Sequence, residues 1–284
     1  MGRQFSTGDN SKMKESKDTE STVKVKPKNT LIQTTNQVWL QGIPNLITLA
    51  NLTSGLLGIG LLMGGDLFGG FLCMLLGSFF DFFDGMLARK LGVEGNMGKQ
   101  LDSLADLVSF GVLPGLIWKS IMIKQGYCTS DSFSFSAYVW LLIPLGAAYR
   151  LAKFNVQETD SSDFMGIPTP ITGMALGSLS YIFMNANYQD ILPFIDQPLL
   201  DIRFVFQNHL LWLFLPVVSS YMMISEIPML SMKGKVKDAK HLYRLLLLAL
   251  ALPCLVFGWA GVLVFYFLYI ILSLLSNFAV NKSR

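Results

Sequence analysis

The chain has 284 residues, 52% hydrophobic and only 14% charged, with a mean hydropathy of +0.47 and a formal net charge of +3. Ordinary globular proteins carry about 25% charged residues, so this composition excludes a soluble enzyme and fits a multispanning helical membrane protein. The small net charge gives no reason to expect a nucleic-acid partner, and Cys73, Cys128 and Cys254, scattered among apolar neighbours, fit neither a disulfide framework nor a zinc site.

Residues 1–42 differ from the rest. The stretch "MGRQFSTGDNSKMKESKDTESTVKVKPKNT" is polar, mixed in charge and poor in large apolar side chains. It cannot bury enough surface to fold alone, so a disordered cytoplasmic tail is expected. Residues 43–284 form the membrane domain.

Runs of about 17–25 apolar residues mark candidate spans. They fall near 44–63, 67–88, 103–123, 136–154, 170–187, 209–226, 242–258 and 259–278. The expected fold is therefore all-α, a polytopic bundle of about eight transmembrane helices. The last two spans lie close together and turn at "FGWAG". Eight spans put both termini on one side, and the basic residues orient them. With the termini cytoplasmic, only Lys119, Lys124 and Arg203 of the 22 Lys and Arg residues lie outside, which is the bias of the positive-inside rule.

The second span ends "FFDFFDGMLARK". A carboxylate within hydrocarbon costs about 2.5–3.5 kcal/mol even on the lenient insertion scale, so Asp81 and Asp84 need a reason to be there. Three residues apart, they share a helical face. Asp102 and Asp106, four apart, open the third span and share another. A short link with Gly92, Gly95 and Gly98 lets the two helices pack antiparallel and bring the four carboxylates together. Four such charges cannot all stay ionised without compensation. Oxygen-only donors point to a hard divalent cation, Mg²⁺ or Mn²⁺. Gly85 and Ala88 follow Asp81 on its face and leave a groove, and Arg89 offers a forked donor for phosphate. Together these describe a pyrophosphate site.

Asp81-x2-Asp84-Gly85-x2-Ala88-Arg89-x8-Gly98-x3-Asp102-x3-Asp106 matches without departure the signature of the CDP-alcohol phosphatidyltransferases, and the resemblance covers roughly residues 43 to 280. Within that family, "IPNLITLANLTSGLLGI", "LDSLADLVSFGVLP", "AYRLAKFN" and "FMGIPTPITG" resemble the membrane-bound phosphatidylserine synthases of bacteria. Those synthases more often show Arg where this chain has Lys153. The resemblance implies a site of two divalent ions, Mg²⁺ or Mn²⁺, held by Asp81, Asp84, Asp102 and Asp106, with Asp106 also the general base. It implies that Asp81, Gly85, Ala88, Arg89 and Gly98 contact the CDP group. It further implies transfer of the phosphatidyl group of CDP-diacylglycerol to L-serine, a homodimer, and a bacterial inner-membrane location among membrane lipids with the site facing the cytoplasm.

Other residues fit around that site. Asn45 and Thr48 share a face of the first span and can touch the nucleotide or hydrogen-bond between helices; Pro44 suits a first helical turn. Arg150, Lys153 and Asn155 can receive the acceptor carboxylate or a donor phosphate, or serve as cytoplasmic anchors. The same chemistry with glycerol 3-phosphate, inositol phosphate or choline is a rival reading. A divalent-cation transporter is a more remote one, since transporters often carry paired repeats and the Asp pattern occurs once.

Overall fold

A computed structural model describes residues 29–93, 95–127, 135–156, 164–184, 208–230, 246 and 258–282. Helix α1 spans Asn29–Met63 and α2 spans Leu67–Leu91. A continuous helical path follows, comprising α3 (Asn96–Asp106), a π-helical turn (Leu107–Val112) and α4 (Leu113–Lys124). Next come a short α5 (Phe135–Tyr138), a 3₁₀ turn (Val139–Leu141) and α6 (Leu142–Val156). Helices α7 (Thr169–Met184), α8 (His209–Ile224) and α9 (Gly258–Lys282) complete the described helices. Strands β1 (Phe164–Met165) and β2 (Pro228–Met229) pair antiparallel, Phe164 opposite Met229. The structure is mostly helical, as expected.

Among the described residues three helical stretches are long and apolar enough to cross a membrane: Gly42–Met63, Leu67–Leu91 and Asn96–Lys124. These correspond to the first three expected spans. The fourth, fifth, sixth and eighth appear as α6, α7, α8 and α9. Of these, α6, α7 and α8 have 15 or 16 residues, short of the ~20 that an untilted crossing needs. The expected span at 242–258 lies almost wholly outside the described residues. Helix α1 reaches back to Asn29, into the stretch read as tail, and residues 1–28 lie outside the described residues.

Local chemistry sets the boundaries. The Asp66 carboxylate caps α2 by accepting the Gly69 N–H at 2.8 Å. Gly92 ends the helix in the left-handed region at φ 63°, a conformation without penalty only for glycine. Pro44 corrects an expectation: it lies inside α1 rather than in its first turn. Its fixed φ is already helical, and its missing N–H costs the helix one hydrogen bond.

Small residues let α1, α2 and the third helical path approach closely. A Cβ at Gly58 would lie 2.7 Å from a Leu113 methyl and 3.1 Å from the Gly70 carbonyl. One at Gly55 would lie 2.5 Å from Ser109 Oγ. Around this contact Phe71, Met74, Phe110, Leu113, Ile117 and Trp118 form the main core. Trp118 packs on Trp212 with ring centroids 4.6 Å apart and donates its indole N–H to the Trp212 carbonyl at 3.2 Å. A second cluster joins Ile167, Ala175, Met229, Leu230, Tyr266, Tyr269 and Leu272 under the strand pair.

Candidate active site

The signature residues stand on two helices joined by the short link at 92–95. Asp81 and Asp84 occupy the last turns of α2; Asp102 and Asp106 lie on α3. Carboxylate oxygens of Asp81, Asp102 and Asp106 all come within 4.8 Å of one another. Asp106 is buried and the other two half-buried. Asp84 stands beside this trio rather than in it. Its carboxylate is buried next to Thr48 and Arg89, and its Oδ2 has no hydrogen-bond partner.

Three carboxylates so close repel one another unless a positive charge sits between them. The donor set is oxygen alone, which suits a hard divalent cation. The residues present therefore fit the divalent ion expected from the sequence.

Against the trio lies a cleft of about 500 Å³. Asn45 and Thr48 of α1 form one wall, Gly85, Ala88 and Arg89 another, and Gly98 and Asp102 a third. A Cβ at Gly98 would press on Asn45 Oδ1 at 3.3 Å, and one at Gly85 on Arg89 Nη1 at 3.3 Å. Thr48 Oγ1 donates to the Pro44 carbonyl at 3.1 Å, which fixes its rotamer. Asn155 borders the cleft from α6, donating to Ser103 Oγ at 2.9 Å. All the residues expected around the nucleotide thus meet at one cleft.

The three polar residues of α6 part company. Asn155 reaches the cleft. Lys153 instead pairs with Glu226 beyond α8, at 2.9 Å. That hydrogen bond and the ammonium's charge hold the Glu226 carboxyl below its ordinary range. Arg150 turns inward, its Nη1 donating to Thr169 Oγ1 at 3.0 Å, within electrostatic range of Asp106 and Tyr269.

Sequence reasoning missed Asn51. It is fully buried, and its Nδ2 donates to Asp106 Oδ1 at 3.4 Å. The signal was available: Asn51 follows Thr48 by three, two polar side chains on one face of an apolar helix. Also missed was the π turn after Asp106, where the Leu113 N–H bonds the Val108 carbonyl. Pro114 supplies the cause, since its ring crowds the carbonyl four residues back and it lacks an N–H. Turns of this type recur at functional sites. Here the turn brings buried Ser109 against α1, where its hydroxyl donates to the Asn51 carbonyl at 3.1 Å.

The family model of the CDP-alcohol phosphatidyltransferases matches residues 41–217. The chain belongs to that family. The match runs from within α1 to within α8 and takes in every residue of the carboxylate cluster and cleft. Among curated relatives, a protein named "CDP-diacylglycerol–serine O-phosphatidyltransferase" from Bacillus subtilis is 37% identical over 145 residues, covering 50% of this chain and 76% of that protein. An "archaetidylserine synthase" from Methanothermobacter thermautotrophicus is 35% identical over 139 residues, covering 48% of this chain and 56% of that protein. A further protein with the first of these names, from Methanocaldococcus jannaschii, is 28% identical over 188 residues, covering 66% of this chain and 85% of that one.

For a CDP-alcohol phosphatidyltransferase the arrangement is chemically sensible. The carboxylates and the cleft share one end of the α1–α2–α3 unit.

Proposed function

We propose that this chain transfers the phosphatidyl group of CDP-diacylglycerol to the hydroxyl of L-serine, giving phosphatidylserine and CMP. The observation that carries the reading is the trio of Asp81, Asp102 and Asp106 at the edge of a cleft lined by the remaining signature residues. The names of the Bacillus and Methanocaldococcus relatives support serine as acceptor.

The cytidine occupies the cleft between Asn45, Gly85, Ala88 and Gly98, where small residues admit it and Arg89 faces the phosphates. Asp81, Asp84, Asp102 and Asp106 would hold two Mg²⁺ or Mn²⁺ ions, which when bound neutralise the pyrophosphate and polarise the phosphorus. The serine hydroxyl is a weak nucleophile at neutral pH and needs a base. Asp106 takes its proton while the serine oxygen bonds to the phosphorus that bears diacylglycerol. The P–O bond to CMP breaks in the same displacement, and the proton passes on to solvent. Asn51, hydrogen-bonded to Asp106, holds the base in place.

In this reading the chain is a multispanning protein of a bacterial inner membrane. It has about eight spans, with both termini and the site facing the cytoplasm, which the bias of basic residues supports, and it works as a homodimer. A site just below the interface lets the acyl chains stay in lipid while the cytidine stays near water.

The test is CMP release by detergent-purified protein given CDP-diacylglycerol and Mn²⁺ or Mg²⁺, with and without L-serine. Metal-dependent release that requires serine and yields phosphatidylserine is expected. Release that requires glycerol 3-phosphate or another alcohol instead would overturn the acceptor.

A further inference from the structure

The buried side of the third helical path repeats every four residues. Ala105, Ser109, Leu113, Ile117 and Ile121 are all buried. An α-helix turns by about 100° per residue, so a step of four overshoots a full turn by about 40°. Four such steps, from Ala105 to Ile121, would drift by about 160° and carry the core face nearly to the far side. The path stays in phase because it is not α-helical throughout. Within Leu107–Val112 the hydrogen bonds reach five residues back instead of four, and at its end the Leu113 N–H meets the Val108 carbonyl. A turn of this kind takes up one additional residue, which removes about 100° of the drift.

Two features lock the wide turn. Pro114 has no N–H to offer the Phe110 carbonyl four residues back, so the α-helical hydrogen bond cannot form there. Ser109, fully buried, donates its hydroxyl to the Asn51 carbonyl of α1 at 3.1 Å. Neighbouring helices close on the turn at backbone distance. A Cβ at Gly173 of α7 would lie 2.6 Å from the Phe110 carbonyl oxygen, and one at Gly111 would lie 3.0 Å from the Ala147 Cβ of α6.

Before the turn stand Asp102 and Asp106; after it stand Leu113, Ile117 and Trp118 of the main core. We infer that the π turn is the register device of the site. It aims the carboxylates of α3 at α1 and α2 while α4 keeps its core packing, and Ser109 and Pro114 are the positioning residues that hold it. Were the turn α-helical with α4 in place, α3 would be rotated by about 100°, carrying Asp106 away from Asn51 and Asp81. The inference rests on the trio as a divalent-ion site and not on which alcohol is the acceptor.

The experiment measures Mn²⁺ binding by the paramagnetic signal of the ion, together with CMP release and the thermal midpoint of the full chain in detergent. Four variants join wild type: Ser109→Ala, Pro114→Ala, and Pro114→Ala with one residue deleted, either Val112 inside the turn or Ser120 beyond it. Ser109→Ala loses one hydrogen bond, and its Mn²⁺ affinity should fall by about 3- to 10-fold. Pro114→Ala restores an N–H and lets the α-helical register compete. Its Mn²⁺ affinity should fall by about 10- to 100-fold, the range for groups that orient metal ligands, with the thermal midpoint unchanged or raised. Deleting Val112 from that variant removes the additional residue, restores the phase, and should recover most of the Mn²⁺ binding and CMP release. Deleting Ser120 should recover neither. If the deletion variants do not fold, the two single substitutions decide by the split between Mn²⁺ affinity and thermal midpoint. Unchanged Mn²⁺ affinity in both, a loss that only follows a lowered midpoint, or a loss that a folded Val112 deletion leaves in place would overturn the register device. Wild type that binds no Mn²⁺ would overturn the metal reading with it.

Discussion

Asn51 of α1 and Asp106 of α3 meet inside the bundle, the Asn51 amide nitrogen donating to Asp106 Oδ1 at 3.4 Å. The amide can donate from that nitrogen but cannot take a proton, so Asn51 fixes the orientation of the carboxylate without competing for its chemistry. Ser109, on the π turn, grips the Asn51 backbone carbonyl. Asp106 is thus held by a helix remote from it in sequence.

Asn51→Leu keeps the volume and removes the donor. Partners that orient a ligand carboxylate typically contribute about 10- to 100-fold in metal affinity or activity. A fall of that size in CMP release, with a rise in the Mn²⁺ concentration for half-activity and unchanged yield of folded protein, is expected. Wild-type turnover in this variant would remove Asn51 from the site.

Replacing the trio tests the metal directly. Asp81→Asn and Asp102→Asn should each abolish transfer and weaken Mn²⁺ binding, measured by the paramagnetic signal of the bound ion. Asp106→Asn should abolish turnover, a loss of at least about 100-fold for a missing base, while CDP-diacylglycerol still binds.

Gly55→Ala probes the close approach of α1 to the π turn. The added Cβ would lie 2.5 Å from Ser109 Oγ and 3.1 Å from Ser109 Cα. The backbone cannot swing aside as a side chain would, so overpacking should cost about 1–3 kcal/mol. A lowered thermal midpoint in detergent is the readout; no change would show that the helices can part without cost. Gly60, where nothing lies within 4 Å of a built Cβ, is the control.

The Lys153–Glu226 pair is exposed on the Glu side, and such pairs contribute little. Glu226→Gln should leave CMP release near wild type. The Glu226 carboxyl is held below its ordinary range by Lys153, so the tie is fully present above the ordinary carboxylate range and is lost as pH falls through the lowered value. Wild type and Glu226→Gln should therefore melt alike in acid and differ slightly near neutrality.

Much of this protein is dictated by its sequence alone. Apolar runs of membrane length mark helices, because backbone polar groups in lipid must be satisfied within each segment. The spacing of Asp81, Asp84, Asp102 and Asp106 puts each pair on one helical face, because an α-helix repeats every 3.6 residues. Spacing within a helix cannot say how far apart two helices stand or which side chain faces a third. Only the tertiary structure brings Asp81, Asp102 and Asp106 together and sets Asp84 beside Thr48. It likewise turns Arg150 inward and Lys153 out to Glu226, though both belong to one face of α6. Asn51 remained unread for the same reason: an amide in an apolar helix acquires a role only through the partner opposite it. The π turn depends on Pro114 and on the close approach of Gly55, a local rule and a distant contact acting on the same residues.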